Sequence, residues 1–165
     1  MPPVTPIPPG PGQESVWDYP RPPALEAVGE TVRIAFGGQE IARTNEALRI
    51  LETSHPPTIY LPPSAFIEGV LEGRPETSGC EWKGLAVYFD VVSNGHRAEK
   101  VAWAYPDPRP TYRALKDHVA VYAGPMDACW IGDERVEPQP GGFYGGWVTP
   151  KVVGPFKGAP GTWGW

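Results

Sequence analysis

Apolar and polar positions alternate most regularly in the middle of the chain. Leu85, Val87, Phe89 and Val91 fall on one side, and Ala86, Tyr88, Asp90 and Val92 on the other, the two-residue period of a strand. Ser93-Asn94-Gly95 supplies a turn, and Val101, Trp103 and Tyr105 alternate along the returning strand. Earlier, Val32, Ile34 and Phe36 share a face. Gly37-Gly38 follows where a tight hairpin requires positive φ, and residues 39–43 return as the partner strand. From Asn45, a favourable N-cap, the spacing of Ala47, Leu48 and Leu51 predicts a short helix that Pro56-Pro57 ends. Residues 59–61 read as a brief strand, Pro62-Pro63-Ser64 opens a second helical stretch through about Leu71, and Tyr112, Leu115 and Val119 mark a third after Pro110. Strands near 119–122 and 128–131 follow, with Gly132-Asp133 turning into Arg135-Val136. Hairpins with small helical inserts and no βαβ repeat predict a mainly β, antiparallel fold.

Composition sets the limits of that fold. The chain has 165 residues, enough for one domain with an ordinary core. Its 23 Pro and 20 Gly argue against long helices and for many irregular loops. Residues 1–13 read as a disordered or polyproline tail, because they carry too little apolar surface to offset ordering. Residues 14–165 read as a single globular domain, onto which Trp17-Asp18-Tyr19-Pro20 docks. Residues 138–165 form an irregular arm with eight Gly, five Pro, six aromatics and no acidic residue. Left bare, those aromatics would exceed the apolar patch a soluble monomer tolerates, so the arm packs on the sheet, walls a ligand cleft, or does both.

Charge narrows the partners. A net charge of −5 with no Lys/Arg run argues against nucleic acid. No stretch reaches the roughly 20 apolar residues of a membrane span, and the Pro-rich start does not read as a signal peptide. Two cysteines, Cys80 and Cys129, make no disulfide framework, so the cytoplasm is the expected compartment.

Candidate chemistry gathers in two short segments, Leu51-Glu52-Thr53-Ser54-His55-Pro56-Pro57 with Tyr60 just after, and Cys80-Glu81-Trp82-Lys83-Gly84. If a strand runs from Glu81, Lys83 shares a face with Leu85, Val87 and Phe89, where an ammonium must snorkel, pair or serve chemistry; a break at Gly84 would instead release it to solvent. Glu52 sits at a predicted helix end that disfavours a carboxylate, so pairing with Lys83 or general-base work are its alternatives to a plain surface role. His55 is held extended before the Pro pair, as a structural hydrogen-bonder or a site residue. Cys80 has no recognisable His/Asp partner pattern, and neither cysteine has a second within zinc-ligand spacing. No metal or cofactor is expected.

At these residues the sequence resembles the bacterial family 427 of domains of unknown function. The resemblance rests on the two segments above, on Ala102-Trp103-Ala104-Tyr105-Pro106, and on the tail strings from Pro138 to Trp147 and from Gly154 to Gly158, which resemble longer, actinobacterial-type members. It implies a compact β-tent-like fold, in a family sometimes labelled nucleotidyltransferase-like. Glu81 stands where that family often has Pro, Ala104 where it often has Ser, and Ser64-Ala65-Phe66 where acidic residues are common. There is no Gly-Ser followed by an Asp-x-Asp pair, so nucleotide transfer ranks last among the readings.

The expectation is a pocket for a small polar or anionic metabolite in a monomer or homodimer. Lys83 and Glu52 are the candidate catalytic pair, Lys83 holding an anionic group or forming an imine while Glu52 moves a proton. His55, Tyr60, Cys80, Trp82, Trp103, Tyr105, Tyr144 and Trp147 are the candidate ligand contacts. The alternative is a non-catalytic module that meets another protein through its Pro-rich head and aromatic tail.

Overall fold

The computed structural model describes residues 4–80 and 82–165; residues 1–3 of the Pro-rich start, and Glu81 as the proposed start of a strand, lie outside the described residues. Along the chain run β1 (Glu14–Ser15), β2 (Ala24–Ala27), β3 (Val32–Phe36), β4 (Gln39–Thr44), β5 (Leu48–Leu51) and β6 (Thr58–Tyr60). The long central strands are β7 (Leu71–Cys80), β8 (Gly84–Ser93) and β9 (His96–Ala104). After them come β10 (Val119–Val121), β11 (Ala128–Ile131), β12 (Glu134–Arg135), β13 (Glu137–Pro138), β14 (Trp147–Val148) and β15 (Val152–Val153). Strand occupies 45% of the protein and helix 7%, in several small antiparallel sheets, which is the mainly β class the alternation predicts.

Two four-stranded sheets, ordered β10-β9-β8-β7 and β12-β11-β3-β4, and a three-stranded sheet β2-β5-β6 carry the core. Val32, Ile34, Ile41, Ile59, Leu61, Val91, Ala102, Val119, Val121 and Trp147 meet in its main cluster. The local turn chemistry holds: Gly37 and Gly38 have φ of 66° and 79°, and Asn94 and Gly95 close the β8–β9 hairpin in the same left-handed region.

Two expectations from spacing do not survive, and a third is met in a tighter, shorter form. The segment after Asn45 is not helical; its residues 48–51 are β5, paired with β2 on one side and β6 on the other. Seven residues make a marginal helix in water, whereas a central strand position satisfies the backbone on both edges. Past Pro62 there is a single 3-10 turn, Pro63–Ala65, and Leu71 already begins β7. That ten-residue strand carries no alternation because it is an edge, where Pro75 is tolerated and most side chains face water. The segment after Pro110 is 3-10 rather than α, over Pro110–Leu115.

The two ends of the chain meet. β1 pairs in parallel with β15, and the Ile7 N–H donates to the Gly154 carbonyl at 2.8 Å. From there the arm crosses the β5–β6 connection. The Trp147 N–H donates to Pro57 O at 2.8 Å and the Lys157 N–H to Ser54 O at 2.9 Å.

Candidate functional site

Where β8, β9 and β10 lie side by side both faces carry apolar side chains, and the second face is aromatic. Ala86, Trp103, Tyr105 and Ala120 join Ile50, Tyr60, Tyr112 and Leu115 in a separate cluster, with Cys80, Trp82 and Tyr88 packed against it. Over this face opens a cleft of about 1140 Å³, somewhat larger than the roughly 300–1,000 Å³ usual for small-molecule sites. Glu52, His55 and Tyr60 line it from the β5–β6 side, Cys80, Trp82 and Lys83 from the β7–β8 hairpin, Trp103 from β9 and Tyr105 just past its end, and Tyr144 from the arm. Trp147 does not line it. That indole is 1% exposed in the main core, with Nε1 donating to the Val121 carbonyl at 2.9 Å.

Each wall is held by ordinary local means. Alternation along β9 sends Ala102 and Ala104 to the main core and Trp103 to the cleft. The arm closes over Trp103 so tightly at Gly145 that any Cβ there would overlap the indole ring, a close approach only glycine allows. Lys83 is not on a strand register with Leu85, because β7 ends at Cys80 and β8 begins at Gly84; it lies in the hairpin turn, and its carbonyl accepts the Arg109 N–H at 3.1 Å. Leu85 is consequently 56% exposed rather than in the core.

The cleft is electropositive in an acidic protein. Its charged lining, among the described residues, is Lys83, Lys100 and Lys157 against one carboxylate, Glu52, while the whole chain carries −5. Among the described residues Lys83 is in no ion pair; its Nζ lies 6.0 Å from the centre of the Tyr105 ring. Burial pulls its ammonium down, while Tyr60, Cys80 and the Glu52 carboxylate act the other way, and the pKa is raised overall. The ammonium is the form that holds an anion; imine formation would need the free amine. Lys100 reaches the cleft through a strained backbone with φ 52°, fixed by its N–H donating to Asp90 at 2.8 Å. Arg74 and Arg97 donate to the same carboxylate, and with the Lys100 N–H they hold it down to about 2.

His55 is uncharged. Burial, with Lys157, Arg21 and Lys83 close by, depresses its pKa from 6.5 to about 4. The 3.9 Å approach of its Nε2 to Glu52 Oε2 is therefore not a salt bridge near neutrality. Because the unfolded chain takes up this proton near 6.5 and the folded protein only near 4, the contribution of neutral His55 is complete above pH 6.5. It is lost as the pH falls toward 4, by roughly 3 kcal/mol in total. Urea unfolding at pH 7 and pH 4.5 is expected to show this loss in the native protein and a shallower one in His55→Gln.

Several lining residues carry no recognisable sequence signal. Gln139 links Gly146, Lys157 and His55 by hydrogen bonds of 3.0, 2.7 and 3.0 Å. Lys157 lies with its Nζ 5.6 Å from the Tyr144 ring centre, and that ring stands edge-on to His55 at 4.7 Å. Tyr88 and Tyr122 complete the aromatic floor. Of these, Tyr88 was legible only as part of an alternating strand. Among the described residues no three His, Cys, Asp or Glu side chains are grouped as a metal site, and no helix is long and apolar enough to cross a membrane.

A family described as a domain of unknown function, DUF427, matches residues 24–132. No curated protein matches the chain. The family match takes in β2 to β11 and with them the segment that carries Glu52, His55, Tyr60, Lys83, Trp103 and Tyr105. Covering well over half the sequence, it shows that the chain belongs to the DUF427 family.

Proposed function

We propose that the cleft binds a small anionic metabolite, with Lys83 as the anchor for its charge and Trp82, Trp103 and Tyr105 as flat contact surface. The observation that carries this reading is the sign of the described lining: Lys83, Lys100 and Lys157 against Glu52, in a protein of net charge −5. A cavity of one sign with low-dielectric walls concentrates ligands of the other. Glu52, a quarter exposed at the cleft edge, is the one carboxylate among the described lining residues placed to take a proton from a bound substrate.

Native mass spectrometry of gently purified protein tests it. An added small-molecule mass is expected on the native protein, and on Lys83→Met that occupancy is expected to fall by roughly tenfold or more, the worth of a charge-assisted hydrogen bond. Met keeps the length of the apolar stem, so the melting temperature should change little. An adduct that persists undiminished in Lys83→Met removes Lys83 from the site.

A further inference from the structure

The Gln139 amide is oriented by two partners of opposite kind. Its Oε1 accepts the Gly146 N–H at 3.0 Å, and its Nε2 donates to the Lys157 carbonyl at 2.7 Å. Exchanging oxygen and nitrogen would set donor against donor and acceptor against acceptor, so this orientation is determined by the network. The same Nε2 lies 3.0 Å from His55 Nδ1. An amide nitrogen has no lone pair to offer, so Nδ1 must be the acceptor and the ring proton must sit on Nε2. That Nε2 is 3.9 Å from Glu52 Oε2, beyond hydrogen-bond reach. Among the described residues no buried side-chain nitrogen or oxygen lacks a partner, so Nε2–H, which has none there, opens onto the cleft.

We propose that Gln139 is a positioning residue that holds His55 as the neutral Nε2–H tautomer, making the imidazole, together with Lys83, the donor set of an oxyanion subsite for a phosphate or carboxylate group. This rests on the reading that the cleft binds an anion. Lys157 on the arm, Arg21 ahead of β2 and Lys83 in the β7–β8 turn all act on the ring against protonation; among the described residues Glu52 is the carboxylate facing it, and Tyr144 covers it edge-on. A neutral donor here adds a directed hydrogen bond to an anion without a further buried charge to desolvate.

The test is histidine-selective ¹⁵N NMR of the full chain, with inorganic phosphate as the probe. His55 is expected to stay neutral and protonated at Nε2 from pH 8 down to about 5.5. Phosphate is expected to shift that Nε2–H, with an affinity reduced roughly tenfold in Lys83→Met. In Gln139→Glu the carboxylate accepts where the amide donated, so the ring proton should move to Nδ1 and the imidazole should titrate near or above its ordinary value. A His55 that carries its proton on Nδ1, or titrates near 6.5, in the native protein overturns the proposal whatever phosphate does. The expected tautomer with phosphate binding that leaves Nε2–H unmoved overturns the subsite. The expected tautomer with no phosphate binding at all sinks the anion reading and the subsite with it, while leaving the role of Gln139 intact.

Discussion

Trp147→Ala is expected to lower the unfolding free energy by about 3–5 kcal/mol, the usual cost of emptying a buried tryptophan site. For a chain of this size that is roughly 10 °C or more in Tm. Two losses combine. The indole packs in the main core among residues from β3 to β10, and its Nε1–H is the donor to the Val121 carbonyl in β10. Trp147→Phe separates them: most of the apolar contact remains, the carbonyl loses its donor, and about 1–2 kcal/mol should go. If Trp147→Ala melts within a degree or two of the native protein, the arm is not part of the core. The same placement disqualifies removal of residues 138–165 as a test of the arm as a protein-docking surface, since it would take Trp147 and one wall of the cleft with it. Point changes at Phe143 and Trp163, 63% and 55% exposed, are the appropriate probes of that surface.

The second large effect is expected from Gly158→Ala. Gly158 has φ 134°, and a Cβ on it would overlap the Pro140 carbonyl oxygen; a Cβ on Gly141 would overlap the carbonyl of Gly158 in turn. Two passes of the arm are thus in backbone contact at a point that neither can leave by a side-chain rotation. Left-handed strain of about 1–2 kcal/mol is the floor of the cost, and separating the two passes raises it to roughly 3 kcal/mol or more. Gly161→Ala is the matched control, because Gly161 has φ 87° with nothing within 4 Å of the added carbon. Thermal melts of the two variants should differ by the price of the close approach alone. Since Gln139 and Lys157 flank the crossing, Gly158→Ala is also expected to weaken ligand binding, and Gly161→Ala to leave it near native. Equal behaviour of the two variants would show that the crossing is not tight in solution.

How much of this was legible depended on where each determinant lies. The β3–β4 and β8–β9 hairpins could be read because alternation and the Gly37-Gly38 and Asn94-Gly95 turns are local properties of the chain. β5 and β7 could not. Their extended state comes from strands far away in sequence, and residues 45–51 fit a helical spacing equally well until β2 and β6 bracket them. The unusual chemistry around Glu52, His55 and Lys83 stood out because charged and aromatic residues beside prolines and glycine are atypical of plain strands or loops. Gln139 and Lys157 fell inside the tail strings that carry the family resemblance but were not singled out as site residues, since their roles follow from the path of the arm. Trp147 differs from Tyr144 only in pointing inward, and no pattern among glycines records which way an aromatic turns.

The family match ends at residue 132, ahead of Gln139, Tyr144, Gly145 and Lys157. The floor of the cleft therefore lies within the matched segment and its outer wall beyond it, and Gln139, which bonds to His55, belongs to that outer wall.

That division also runs in time. A chain emerging from the ribosome completes β10 at Val121 long before Lys157 exists. At about 5–20 residues per second the gap is on the order of seconds. During it the face carrying Trp103 and Tyr105 lacks the arm that closes over it at Gly145, and β1 has no β15 to pair with. The nascent protein is then expected to expose more aromatic surface than the finished fold. Conditions that weaken apolar association, such as a lower growth temperature, are expected to raise soluble yield more than any change within the finished fold would indicate.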